Sequence, residues 1–186
     1  WYSVGTLNFT DGGILQNSFN PSNAPILLFL FVFGIGKAAL MPLHWWLPAA
    51  MVAPTPVSAL LHAVAVVKAG VFSILMVICY IFGPEFMNSS GSGTFLIWAS
   101  TITLFLSSVI AITKNDIKAR LAYSTVSQLS YIILGGAIAT NYSLIASVSN
   151  IMMHGVGKIT LFFCAGAIYV STKITKISDL NGLGHK

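Results

Sequence analysis

From Pro25 onward the chain consists of five apolar runs separated by short polar linkers, at about residues 25–47, 56–82, 94–113, 117–139 and 143–171. Each is long enough to cross a bilayer, since a helix rising 1.5 Å per residue needs about 20 residues for a hydrocarbon core of ~30 Å. Backbone inside hydrocarbon must satisfy its own N–H and C=O groups, which leaves helices or a closed barrel. Barrel strands would alternate polar and apolar residues over about ten positions. The run Ile26–Phe33 does not alternate at all. The expected fold is therefore all-α, a polytopic transmembrane helix bundle. Residues 1–24 read as an extramembrane loop, 25–172 as the transmembrane region and 173–186 as a tail. The chain opens at Trp1 and reads as a piece of something longer.

Charge supports the same conclusion. Only 7% of the 186 residues are Asp, Glu, Lys or Arg, against about 25% in a soluble domain. The formal charge of +5 does not point to nucleic acid, because the basic residues are scattered and form no patch or stripe. Cys79 and Cys164 lie inside apolar runs and belong to no CxxC pair or metal-ligand cluster, so no metal site is expected. No nucleotide, flavin or iron–sulfur motif is present, and no cofactor is expected. If the runs cross alternately, the linkers at 48–54 and 113–117 and the tail share one side. Lys114, Lys118, Arg120, Lys173, Lys176 and Lys186 fall on or beside that side, whereas the other has no Lys or Arg. The positive-inside rule then places the tail in the cytoplasm, with the bundle in the inner (plasma) membrane.

Against this background five residues are costly. Lys37, Lys68, Lys158, His62 and His154 lie inside apolar runs. A lysine at a helix centre costs about 2.5–3.5 kcal/mol on insertion scales, so such residues usually line a polar cavity or an ion path. Amines and imidazoles suit proton exchange there. Asn150, His154 and Lys158 follow at i, i+4 and i+8, stacked on one helix face with Ser147 at its edge. Ser58 and His62 share a face of the second run, whereas Lys68 is six residues from His62 and turned well away, so that pair requires a bridging water. The first run looks broken, with Gly34, Gly36 and Pro42 flanking Lys37. Such breaks are tolerated where backbone lines a cavity, and in transporters they mark binding sites.

The fourth run opens with Asp116 at a helix N-terminus, where a carboxylate caps free N–H groups. Tyr123, Ser124, Thr125, Ser127, Gln128, Ser130 and Tyr131 follow, and a helix this polar belongs among neighbours rather than in lipid. Each residue has a plainer explanation too. His62 is equally served by a hydrogen bond to a neighbouring helix, Arg120 by snorkelling to the interface, and His44, Trp45 and Trp46 by an aromatic belt. For the three buried lysines the plain alternative is a structural ion pair, but no carboxylate lies inside any apolar run.

The stretches Gly36–Pro48 and Ala53–His62, then Asn115–Gln128 and His154–Lys158, resemble in order the signature of the proton-conducting antiporter-like membrane subunits. These occur in respiratory complex I, in Mrp-type Na+/H+ antiporters and in membrane-bound hydrogenases. The resemblance covers about residues 25–186. It implies the central part of a larger fold of about fourteen helices built from two inverted repeats. By that resemblance Lys37 is the lysine of the first broken helix, paired with a glutamate on an earlier helix. His62 and Lys68 continue the relay, and Lys118, His154 and Lys158 line the path beyond, with Pro42, Asp116 and Asn150 in support. The partner glutamate and the later broken helix are absent from this sequence. The surroundings of Lys68 and the run Gly157–Phe163 resemble the D-type members of the Mrp antiporters.

The expected function is a membrane subunit of a monovalent cation/proton antiporter that relays protons through Lys37, His62, Lys68, Lys118, His154 and Lys158. Its expected partners are other membrane subunits, lipid, protons and Na+. The alternatives are a proton-pumping subunit of NADH:quinone oxidoreductase or a hydrogenase, a non-conducting structural subunit whose lysines tolerate Met or Leu, and a redox subunit in which His62 and His154 hold a haem.

Overall fold

In the computed structural model the described residues are 9, 12–16, 19–63 and 65–182. Much of the expected loop at 1–24, and Lys186 of the tail, fall outside them. Helices α1 (Ala24–Gly34), α2 (Trp46–Ala49), α3 (Thr55–Ala63), α4 (Val66–Met76), α5 (Pro84–Ser90), α6 (Gly93–Thr113), α7 (Ile117–Ile138) and α8 (Asn141–Thr172) follow one another, and no named strand occurs among the described residues. Four units are long and apolar enough to cross a membrane: Thr55–Phe82, Gly93–Thr113, Ile117–Ile138 and Asn141–Thr172. At 1.5 Å per residue α6 and α7 are about 32 Å long and α8 about 48 Å. The bundle is a multi-pass membrane segment.

The first apolar run breaks where its glycines stand. α1 stops at Gly34, Gly36–Ala38 makes one 3-10 turn, and Ala39 takes a left-handed conformation at φ 57°. The Met41–Pro42 bond is cis. Eleven helical residues reach only about 16 Å, so α1 does not span the core as a straight helix. The broken stretch is held by its neighbours instead. The Met41 amide donates to Thr103 Oγ1 of α6 at 3.2 Å, and the Trp46 indole donates to the Gly36 carbonyl at 3.3 Å. α4 packs directly on the break, because Gly70 presents no side chain there. A Cβ at Gly70 would sit 2.5 Å from the Ala38 nitrogen.

α7 is the most buried of the spans and packs against α6, α8, α4 and α2. Tyr123, Thr125, Ser127 and Ser130 thus face other helices, as its composition predicts, whereas Gln128 and Tyr131 are exposed. Without a hydrophobic force between helices in lipid, close packing and interhelical hydrogen bonds hold such a bundle. Both contribute here. Ser108 and Ser127 Oγ atoms lie 2.8 Å apart across α6 and α7, and Leu96, Leu129, Ile132 and Ile133 are fully buried. α8 is the least buried span. It turns Ser147, His154, Lys158, Phe162 and Ala165 inward and leaves Met152, Met153, Val156 and Phe163 exposed.

The basic linkers meet at one end of the bundle. Lys118 Nζ reaches the Ala53 carbonyl at 3.1 Å, and Asp116 pairs with Lys176 in an isolated antiparallel bridge. Asn115 Oδ1 accepts from the Ser178 amide at 3.0 Å, while its Nδ2 donates to the Ser178 hydroxyl at 3.0 Å. Arg120, expected to snorkel, instead caps the preceding helix. Its guanidinium donates to the carbonyls of Lys114 at 3.1 Å and Ile112 at 2.9 Å, which α6 leaves free at its C-terminal end. His44 and Trp46 likewise depart from an interfacial belt. His44 is buried at 5% exposure beside the Tyr123 ring of α7, and only Trp45 is widely exposed.

Candidate functional site

Two helices distant in sequence bring the costly residues together. α4 begins just ahead of Lys68 and buries it, at 7% exposure, against α8. The one-sided pattern of α8 turns His154 and Lys158 toward the same interior. The result is a direct contact, Lys68 Nζ to His154 Nδ1 at 2.7 Å. No bridging water is needed for that pair. When Lys68 is an ammonium, Nδ1 must accept, which leaves the ring proton on Nε2. His154 Nε2 is buried and has no hydrogen-bond partner among the described residues. His154 lies within electrostatic reach of both Lys68 and Lys158, and so do the two lysines of each other.

Lys158, one turn beyond His154, is 5% exposed. Its Nζ donates to the Leu121 carbonyl at 3.0 Å and to the Ser124 hydroxyl, both on α7. His62 of α3 is fully buried and stacks on Phe162 of α8, with ring centroids 5.8 Å apart. Both its ring nitrogens lack partners among the described residues. The plain explanation of His62, a hydrogen bond to a neighbouring helix, is therefore not what is found. Asn150 Nδ2, a turn ahead of His154, is also buried and has no partner among the described residues. Buried polar atoms without protein partners are where ordered water is expected.

The remaining candidates lie apart from this cluster. Lys37 sits in the 3-10 turn of the broken segment with an exposed side chain, while its backbone abuts Gly70 two residues from Lys68. Pro42 forms the cis bond of the same break. Asp116 caps α7 by accepting from the Ala119 amide at 2.8 Å. Asp116 and Lys118 border a cavity of about 1000 Å³ between the 51–56 linker and the C-terminal half of α8. The partners of Lys68, Lys118 and Lys158 are an imidazole, carbonyls and a hydroxyl. None is a carboxylate, so a structural ion pair at Lys68 or Lys158 would need a partner from outside this chain. Among those residues no cluster of three or more His, Cys, Asp or Glu could hold a metal.

Ser124 and Leu121 were not singled out by the sequence as site residues. Their signal was present but diffuse, a helix with more hydroxyls than lipid exposure allows. Which hydroxyl meets a lysine depends on how α7 and α8 are rotated against each other.

A family model described as NADH:quinone oxidoreductase/Mrp antiporter, TM, matches residues 2–186. The chain belongs to this family. It is 37% identical over 175 residues to NAD(P)H-quinone oxidoreductase subunit 5, chloroplastic, of Brachypodium distachyon, covering 90% of this chain and 22% of that protein. The Zea mays protein of the same name is 36% identical over the same length, covering 90% of this chain and 23% of that protein. In an Mrp complex from Dietzia sp., one chain matches with TM-score 0.72 and 34% identity over 82% of this chain and 16% of its own. An archaeal membrane-bound sulfane sulfur reductase, a respiratory membrane complex, has a chain matching with TM-score 0.77 and 27% identity. That match covers 91% of this chain and 34% of its own. The chain thus spans about a fifth of the length of its curated relatives.

Proposed function

We propose that this chain is the central part of a proton-translocating, antiporter-like membrane subunit, and that Lys68, His154 and Lys158 carry protons between its helices. The observation that carries this reading is the Lys68–His154 contact at 2.7 Å, buried between two spans. A neutral imidazole has two ends. It can take a proton on Nδ1 from the Lys68 ammonium and release the Nε2 proton on its far side, after which the ring has changed tautomer. Lys68 is then a neutral amine ready for reprotonation. Two like charges a few ångströms apart repel by on the order of 1–4 kcal/mol at an effective dielectric near 20, so a proton arriving at one site favours departure from the next. His62 and Asn150, with unpartnered nitrogens nearby, hold the water through which protons reach and leave the pair.

Lys37 enters from the broken segment, and its exposed side chain awaits the glutamate that the family resemblance puts on an earlier helix. Lys118 and Asp116 stand at the basic end, which this reading puts on the cytoplasmic side of the inner membrane. The residues here make only part of a path, so the chain alone does not transport. Other membrane subunits complete the assembly.

The exchanged ion separates two branches. A monovalent cation/proton antiporter is supported by the likeness to the Mrp complex. A proton-pumping subunit of an NADH:quinone oxidoreductase-type complex is supported by the relatives named subunit 5. The test is proton flux in vesicles holding the full assembled complex. Lys68→Ala and Lys158→Ala are each expected to abolish flux while assembly persists, and normal flux in both would refute the relay. Flux that requires Na+ identifies the first branch, and flux that requires quinone reduction the second.

A further inference from the structure

Lys158 is moored to α7 by two oxygens and no charge. Its Nζ donates to the Leu121 carbonyl at 3.0 Å and to Ser124 Oγ. The Leu121 carbonyl is a shared acceptor, receiving Thr125 Oγ1 at 2.8 Å and Ser124 Oγ at 3.3 Å. With its hydroxyl hydrogen turned to the Leu121 carbonyl, Ser124 Oγ offers its lone pairs to the lysine. In that rotamer the cradle presents two acceptors to Nζ. That arrangement fits an ammonium, whose hydrogen bonds are charge-assisted and roughly twice as strong as those of a neutral donor.

We propose that Ser124 is a positioning residue for the relay, holding the proton-loaded Lys158 against α7 and letting the neutral amine go. The proposal rests on the relay reading above and adds a residue to it. When Lys158 gives up its proton it keeps two N–H groups and gains a lone pair. The charge assistance is lost, and the flexible four-carbon stem is free to swing from the cradle. The Leu121 carbonyl is a backbone group and cannot be removed by substitution, so Ser124 is the part of the cradle open to test. A side-chain hydroxyl bonded to its own helix is common. The contact with an ammonium from another helix is what distinguishes Ser124 from Ser100 or Ser107, whose hydroxyls bond only within α6.

The experiment compares Ser124→Ala, Ser124→Thr and Ser124→Cys in the full subunit within its assembled complex, reading initial proton flux in sealed vesicles. Ser124→Ala is expected to cut flux about tenfold or more, the factor set by one hydrogen bond to a charged group. Ser124→Thr, which keeps the hydroxyl, is expected to stay within about twofold of the parent. A merely structural serine would not separate Ala from Thr in this way at equal assembly. Should Ser124→Ala fail to assemble, Ser124→Cys replaces it, being nearly isosteric with a weak acceptor, and the same loss is expected. Parental flux in Ser124→Ala or Ser124→Cys, or equal loss in Thr and Ala, overturns the proposal. The relay reading fails separately, if Lys158→Met retains flux. Loss of flux in Lys158→Met with full flux in Ser124→Ala sinks the Ser124 assignment alone.

Discussion

Lys68 and His154 are 86 positions apart and belong to different spans, yet Lys68 Nζ lies 2.7 Å from His154 Nδ1 in the buried interior. Neither helix by itself indicates that pairing. It joins the second apolar run to the fifth and turns two isolated costly residues into one unit.

If that unit hands protons on, removing either end should stop it, and an inert partner should not substitute. His154→Gln retains hydrogen bonding but cannot exchange a ring proton. Proton flux in vesicles with the assembled complex should fall at least about tenfold, the scale of losing positioned proton transfer. Flux equal to the parent in His154→Gln would remove His154 from the path.

His62 separates function from stability. Its two ring nitrogens are buried without protein partners among the described residues, so no interhelical hydrogen bond is lost when the imidazole is replaced. His62→Phe fills the same space beside Phe162. Thermal melting of the assembled subunit should be unchanged or higher while flux falls. A lower melting point with unchanged flux would mean that the imidazole is structural.

Gly70 tests whether the broken segment depends on the approach of α4. A methyl group there meets the Lys37 and Ala38 backbone at 2.5 Å, and backbone cannot rotate aside. Gly70→Ala should destabilise the subunit by about 1–3 kcal/mol, as overpacking does, read as a lower melting temperature. Parental stability would show that the break has room to move.

The turn between α6 and α7 is pinned by Asn115, which makes both a donated and an accepted bond with Ser178. Asn115→Ala should loosen the segment after α8, raising hydrogen exchange at the amides of Ile117 and Ile177, which bond across to Thr175 and Asn115. The expected stability cost is about 1–2 kcal/mol for two hydrogen bonds near the surface. Unchanged exchange would mean that the backbone bridge suffices.

Much of this architecture was readable from the chain. Gly34 and Gly36 announced the break before Lys37, and the hydroxyls of 123–131 announced a helix among neighbours. The i, i+4, i+8 spacing of Asn150, His154 and Lys158 correctly put them on one inward face. The six-residue offset rightly kept His62 from direct contact with Lys68, but it did not reveal that His154 lies 2.7 Å from that lysine. Other contacts were misplaced. Arg120 folds back on the carbonyls of α6, and His44 is buried against Tyr123. These errors share one origin, since each residue was weighed against neighbours on its own helix while its contacts lie on another.

What the sequence by itself determined is what a helix periodicity and a hydrocarbon solvent can dictate: which segments are apolar, where one breaks, and which residues are too costly to face lipid. Only the tertiary structure decided which costly residues meet. Interhelical contacts depend on the rotation and depth of each helix against the next, and those are set by packing at positions such as Gly70 and Gly136, where Leu75 and Ile78 press against α7. No pattern local to one segment encodes that fit.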